Sequence, residues 1–230
     1  SYGMMCSERE MGLSAEHDGI IELSGQPKIG SKFVEYLSEY NPDAVDPIIE
    51  IAITPNRPDA LGVRGIARDL AARGIGSLKA AKTPIINGTH KNNIEIAIDA
   101  DVLEKGCPVF YSCLIKGVKN GPSPKWLKNR IESIGLRSIS TLVDITNYFT
   151  IDRARPLHVF DADKIKGNLK VSFSKGDQSI EALDEKKYDL PERSMIISDT
   201  SGIVSIAVIM GGVSTGCSEN TVNVLLESAY

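Results

Sequence analysis

Residues 144–161, DITNYFTIDRARPLHVFD, gather the side chains of this chain best suited to act together on a ligand. Asp144, Asp152 and Asp161 accompany Thr146, Asn147, Tyr148, Pro156 and His158. A histidine among carboxylates is the raw material of acid–base hydrolysis, provided the fold brings the groups within hydrogen-bond reach. The segment begins with helix-compatible spacing and ends at Pro156, which cannot continue a helix. Thr146 and Asn147 would then lie on a polar helix end, and His158 on a rigid corner aimed into one pocket. Each has a plainer use as well. Threonine and asparagine cap helices, proline stops them, and a lone histidine often bonds backbone.

A carboxylate far along the chain is the other candidate. Glu227 sits in Leu225-Leu226-Glu227-Ser228-Ala229, an otherwise apolar strand pattern. Ionised, it only accepts hydrogen bonds and so suits a hydroxyl donor; the bland alternative is an outward-facing strand residue. Cys6, Cys107, Cys113 and Cys217 are too scattered for a zinc site, and three histidines add no close ligand spacing, so no metal is expected. Buried free thiols are the expected state of the cysteines.

The elements that must position these residues can be read from periodicity and punctuation. Phe33, Val34, Leu37 and Tyr40 give a helix near 31–40, between turn signals at Gly25-Gln26-Pro27, Asn41-Pro42 and Asp46-Pro47. Residues 49–54 alternate like a strand. A Pro-Asn-Arg-Pro turn follows, with Asp59 placed to cap a helix over 60–73. Asn56 and Arg57 read as structural parts of that turn. A polar stretch over 79–93, with Pro84 and Gly88, is the linker candidate, and the domain boundary is set near residue 88.

Strands are expected at 94–98 and 109–115. Ser123 before Pro124 opens a helix carrying Leu127, Ile131 and Ile134. Thr141 with Asp144 resembles a capping box, on a helix whose buried side carries Leu142, Ile145 and Phe149. From 169 onward the pattern is β, with strands at 169–173, 179–182, 194–198, 203–210 and 222–230. The fold class is α+β: a small helical domain over 1–88, then a larger mixed α/β domain over 89–230 with a strongly bent, barrel-like sheet.

The 230 residues, 42% hydrophobic and 24% charged, suit a soluble globular chain with ample core. A net charge of −4 argues against a surface that grips nucleic acid everywhere, though not against a local basic patch. No apolar run approaches the ~20 residues needed to span a bilayer, so a cytoplasmic protein with no membrane partner is expected. The abrupt start at SYGMMCSERE and the stop at LLESAY, within an apparent strand, suggest a piece of a longer chain.

Five pieces in order carry a family resemblance: Gly3-Met4-Met5-Cys6-Ser7 with Glu10-Met11-Gly12-Leu13, EIAITPNRPDALGVRGIARDLAA at 50–72, LRSISTLVDITNYFTIDRARPLHVFDADKI at 136–165, IMGG at 209–212, and LLESAY at 225–230. Together they resemble the β subunit of bacterial phenylalanyl-tRNA synthetase. The resemblance implies that 1–88 holds the end of an OB-fold region and a small helical, B1-like domain. It implies that 89–230 is a B3/B4-like editing domain, cut short at its C-terminal end.

The whole enzyme would attach phenylalanine to tRNA-Phe as an α2β2 assembly with ATP and Mg2+. The aminoacylation site would lie on the absent α subunit, so this piece needs no cofactor of its own. Its local reaction would be hydrolysis of mischarged Tyr-tRNA-Phe. A hydrophobic pocket rejects an added hydroxyl by only roughly 10²-fold, which makes a second, hydroxyl-requiring sieve useful.

On that resemblance Glu227 reads the phenol, while His158, Thr146 and Asn147 position the ester and water. Pro156 aims the histidine, and Ala207, Val208 and Gly211 form a wall. The family usually has glycine where this chain has Val208. That departure favours the alternative of a structural, tRNA-docking scaffold with an impaired pocket.

Overall fold

A computed structural model of the chain describes all residues except Ser1, Tyr2, Ala15, Asn41, Asp43, Ala44 and Asp46. The turn signals at Asn41 and Asp46 therefore lie outside the described residues. Two compact units emerge: Ser1–Ile51 with Lys128–Arg137, and Ala52–Leu127 with Ser138–Tyr230. None of the breaks between these units falls at residue 88, around which the chain is exposed and forms no helix or strand.

In the first unit the expected helix forms as α1 (Phe33–Tyr40). Its Tyr36 hydroxyl accepts a hydrogen bond from the Ser24 amide, and Tyr36 stacks on Tyr40. The alternating run 49–54 is not a strand, and Ile49 and Ile51 are exposed. Alternation makes a strand only when another strand is there to pair with it.

In the second unit the helix expected over 60–73 starts later. A 3-10 turn (Pro58–Ala60) precedes α2 (Val63–Ala72), which Gly62 caps. A Cβ on Gly62 would stand 2.5 Å from the Ala154 amide nitrogen, so only glycine allows this approach. Asp59 does not cap. It binds Arg57 and Arg68, and Asp69 binds the same two arginines, which fastens the turn to α2. The structural reading of Arg57 fits that network.

Further along the chain come α3 (Ala100–Lys105), α4 (Lys125–Ser133), most of which belongs to the first unit, and α5 (Thr141–Arg153). The capping box on α5 is not made. Ser140 is the N-cap, Thr141 donates its hydroxyl to the Gly121 carbonyl, and Asp144 is fully buried as an acceptor for other groups. Ile145 and Phe149, expected inside, are exposed, and the buried residues of the helix are Asp144 and Thr146. Polar bonding, not apolar periodicity, orients this helix.

The strands form three separate sheets, and among the described residues none closes on itself. The single barrel-like sheet expected from the sequence is thus replaced by a divided one. One sheet orders β1 (Ile96–Ile98), β4 (Leu169–Phe173), β7 (Met195–Asp199), β8 (Gly202–Ile206) and β9 (Met210–Gly211). Only β1 and β4 are parallel. A second sheet places β10 (Asn223–Ala229) between β2 (Phe110–Lys116) and β3 (His158–Asp161), antiparallel to both. The third is a hairpin of β5 (Gln178–Glu181) and β6 (Lys187–Leu190).

The first two sheets share one core: Leu114, Phe160 and Leu225 from one side pack with Leu169, Val171, Ile197 and Val204 from the other. The strand expected over 203–210 is broken, because residues 207–209 form a turn between β8 and β9. All four cysteines are free, but only Cys107 is buried and Cys113 is exposed, against the expectation of four buried thiols.

Candidate functional site

Sheet register brings the two outstanding polar side chains together. Along β3 and β10, Phe160 lies opposite Leu225 and His158 opposite Glu227. Side chains alternate faces along a strand, so His158 shares the face of Phe160, and Glu227 that of Leu225. Phe160 and Leu225 are fully buried in the shared core. Glu227 and His158, two residues beyond them on their strands, therefore stand at the core margin. A cavity of about 250 Å³ opens there, below the range usual for drug-sized ligands and fitting a small one.

Of the residues predicted for the site, Pro156, His158, Ala207, Val208, Gly211 and Glu227 line this cavity. Thr146 and Asn147 do not. Thr146 is buried in α5, where its hydroxyl donates to the Val143 carbonyl at 2.7 Å. Asp144 serves the helix too: it accepts from the hydroxyls of Ser123 and Ser138 and from the Ile139 amide. Asp161 accepts from the Thr221 hydroxyl at 2.7 Å and from the Asp163 amide.

The corner that delivers His158 is built by two backbone devices. Ala154 ends α5 in the left-handed conformation, with φ 54°, and Pro156 disfavours helix at Arg155. The chain then enters β3 directly.

Glu227 is 8% exposed, and its Oε2 is buried with no hydrogen-bond partner. Among the described residues no lysine or arginine lines the cavity. Burial accordingly pushes the carboxyl of Glu227 up to about 7 and the imidazole of His158 down to about 4. Near neutrality the imidazole is uncharged, presenting one donor and one acceptor nitrogen. So weak a base is suited to orienting a hydroxyl or a water rather than to removing a proton. Glu227 offers an unsatisfied acceptor in an apolar surrounding, a strong reason for a hydroxyl-bearing ligand to enter.

Val208 occupies an unusual position on the rim. Its φ is 69°, a conformation that β-branched residues rarely adopt. The residue is 83% exposed, so it borders the mouth of the cavity and does not fill it. The backbone here keeps the shape a glycine would take.

Several lining residues carried no sequence signal: Cys107, Phe110, Met195 and Ile197 arrive from elements far apart in the chain and form the apolar surround. The Cys107 thiol, raised by burial, donates to the Val109 carbonyl and is not poised for nucleophilic work. A larger groove of about 410 Å³ beside α2 is lined largely by aliphatic residues such as Val63, Leu70 and Ile75. Among the described residues it contains no unpartnered buried polar atom.

Residues 106–230 match the family model described as the B3/4 domain. Across its full length the chain is 60% identical to the phenylalanine–tRNA ligase beta subunit of Ruegeria pomeroyi, covering 29% of that protein. It is 53% identical to the same subunit of Cereibacter sphaeroides and 51% identical to that of Brucella abortus, covering 28% of each. The chain thus spans under a third of the length of these curated relatives. An N-terminal fragment of the phenylalanyl-tRNA synthetase beta-subunit from Pyrococcus horikoshii matches with TM-score 0.49 and 16% identity, over 85% of this chain and 62% of that one.

Proposed function

Because the chain belongs to the B3/4 domain family, we propose that it is the editing part of a phenylalanine–tRNA ligase β subunit, hydrolysing tyrosine wrongly esterified to tRNA-Phe. The observation that carries this reading is the buried, unpartnered Oε2 of Glu227, in the same cavity as His158. A phenol hydroxyl donating to Glu227 would satisfy that oxygen, and phenylalanine would leave it bare. A site built around a hydrogen bond rejects the analogue that lacks the bonding group far better than an apolar site rejects an added hydroxyl. His158 would hold the water or a ribose hydroxyl against the ester, with the ring nitrogens as its two handles.

In this reading 89–230 is the editing domain, and 1–88 contains the end of an OB-like region and a small helical domain. The complete cytoplasmic enzyme would be an α2β2 assembly that binds tRNA-Phe and uses ATP and Mg2+. A cavity with one buried carboxyl, one imidazole and no cation does not fit a triphosphate. No step here runs through ATP, whose place is proposed on the α subunit.

The test is deacylation of Tyr-tRNA-Phe by the intact enzyme carrying Glu227→Ala. Loss of about 10²-fold or more in hydrolysis is expected. Unchanged hydrolysis removes Glu227 from the role. A second reading, a tRNA-docking scaffold with an impaired pocket, draws on Thr146 and Asn147 lying off the cavity and on the strained Val208. Wild-type enzyme that leaves Tyr-tRNA-Phe intact would favour it.

A further inference from the structure

The cavity wall contributed by β9 contains a glycine whose purpose is not conformational. Gly211 is absent from the residues with positive φ, so its backbone would accept any side chain. Space is the obstacle. A Cβ built there would stand 2.4 Å from Cε1 and 2.7 Å from Nε2 of His158. The imidazole edge therefore occupies the volume that a side chain at 211 would fill.

Phe160, two residues along the same strand, also packs on the imidazole, with ring centroids 4.3 Å apart and planes at 81°. Burial is what lowers the His158 imidazole, and among the described residues no charged group or hydrogen bond adds to that shift. Contact surfaces, rather than bonds, hold the imidazole where it is. The neighbouring Gly212 differs: its Cβ would strike the Val204 carbonyl oxygen at 2.8 Å, a main-chain atom that cannot swing aside.

We propose that Gly211 is a positioning residue for His158: the bare main chain at 211 and the Phe160 ring form a slot that fixes the imidazole opposite Glu227. This rests on the reading of His158 and Glu227 as the editing pair, and it changes Gly211 from a wall that touches substrate into one that acts through the histidine. The atom a methyl group would strike is the far end of a side chain, so Gly211→Ala displaces the ring and leaves the sheet standing. Both ring nitrogens stay free for the ligand because nothing in the slot bonds to them. A misplacement near 1 Å at a reacting centre is enough to lose up to about 10²-fold in rate.

The experiment uses the intact enzyme with Gly211→Ala, His158→Ala and the two combined, assayed on Tyr-tRNA-Phe, with carbethoxylation of His158 followed by mass spectrometry. Gly211→Ala is expected to lower kcat for hydrolysis by roughly 10- to 100-fold in the wild-type background. In the His158→Ala background its effect should shrink below about twofold, since residues that act through one another do not add. Carbethoxylation of His158 should quicken in Gly211→Ala as the ring is pushed from its slot. Equal losses in both backgrounds would make Gly211 a direct substrate wall and overturn the proposal, as would an unchanged modification rate. If His158→Ala itself leaves hydrolysis intact, the editing role of the histidine fails, while the modification rate still decides whether Gly211 seats the ring.

Discussion

Two buried carboxyls in this molecule have opposite surroundings. Asp144 has no exposure and takes hydrogen bonds from two serine hydroxyls and a backbone amide. Glu227 is nearly as buried, yet its Oε2 has no partner at all. The first acid ties α5 to the loops around it. The second is left wanting a donor beside an open cavity. Burial is common to both acids; the completeness of hydrogen bonding is what separates the structural one from the candidate site.

The sharpest way to break that contrast is to remove Asp144. Asp144→Ala strands two hydroxyls and an amide, and should destabilise the chain by about 3 kcal/mol or more in urea denaturation. A change under about 1 kcal/mol would show that the three donors find other partners and that Asp144 is no anchor.

Glu227→Gln probes the other side, with a pH signature. A carboxyl raised from 4.5 to about 7 in the folded chain contributes stability that is fully present below pH 4.5 and lost as pH rises through 7. The glutamine variant should therefore be the more stable protein by roughly 2–3 kcal/mol at pH 8, with that difference disappearing near pH 4. Denaturation midpoints across that range check it, and parallel curves for the two proteins would mean that Glu227 is better solvated than its burial implies. His158 works the opposite way. Its lowered imidazole withdraws stability as pH falls from 6.5 through about 4.

The smallest expected effect lies on the rim. Val208→Gly relieves a left-handed valine but frees the unfolded chain, for a net gain of about 0.5–1 kcal/mol. Because the valine side chain is exposed, the same change should alter Tyr-tRNA-Phe hydrolysis less than Glu227→Ala does. A large gain in hydrolysis would instead reveal that Val208 obstructs the pocket.

How much of this was legible in the sequence depends on whether local or distant contacts decide. The strand expected over 222–230 forms as β10, and Leu225-Leu226-Glu227 advertises an acid within an apolar strand. The pairing that sets His158 opposite Glu227 was not legible. HVFD after a proline looks like a corner, and only β10, more than sixty residues later in the chain, makes it a strand. Ile145 and Phe149 misled because apolar spacing normally decides a helix face, whereas Asp144 with its three donors decides this one. The 207–209 turn was hidden for another reason. Valine and isoleucine favour strands, so nothing local announces a left-handed residue at 208.

The two walls of the cavity are secured very unequally, and that bears on how a ligand gets in. β10 is bonded along both edges, to β2 from Asn223 to Ala229 and to β3 from Val224 to Glu227. The facing wall ends in β9, held to β8 through Ser205–Gly211 and Ile206–Met210 and on its other side by the bond from the Leu183 amide to the Gly211 carbonyl, with an exposed turn before it. Local opening follows the weakest set of bonds. The Glu227 side should come apart only when the sheet itself unravels, while the Val208–Met210 side can breathe alone. Exchange between the cavity and solvent would then favour the thin wall, with the strand that carries Glu227 staying in place.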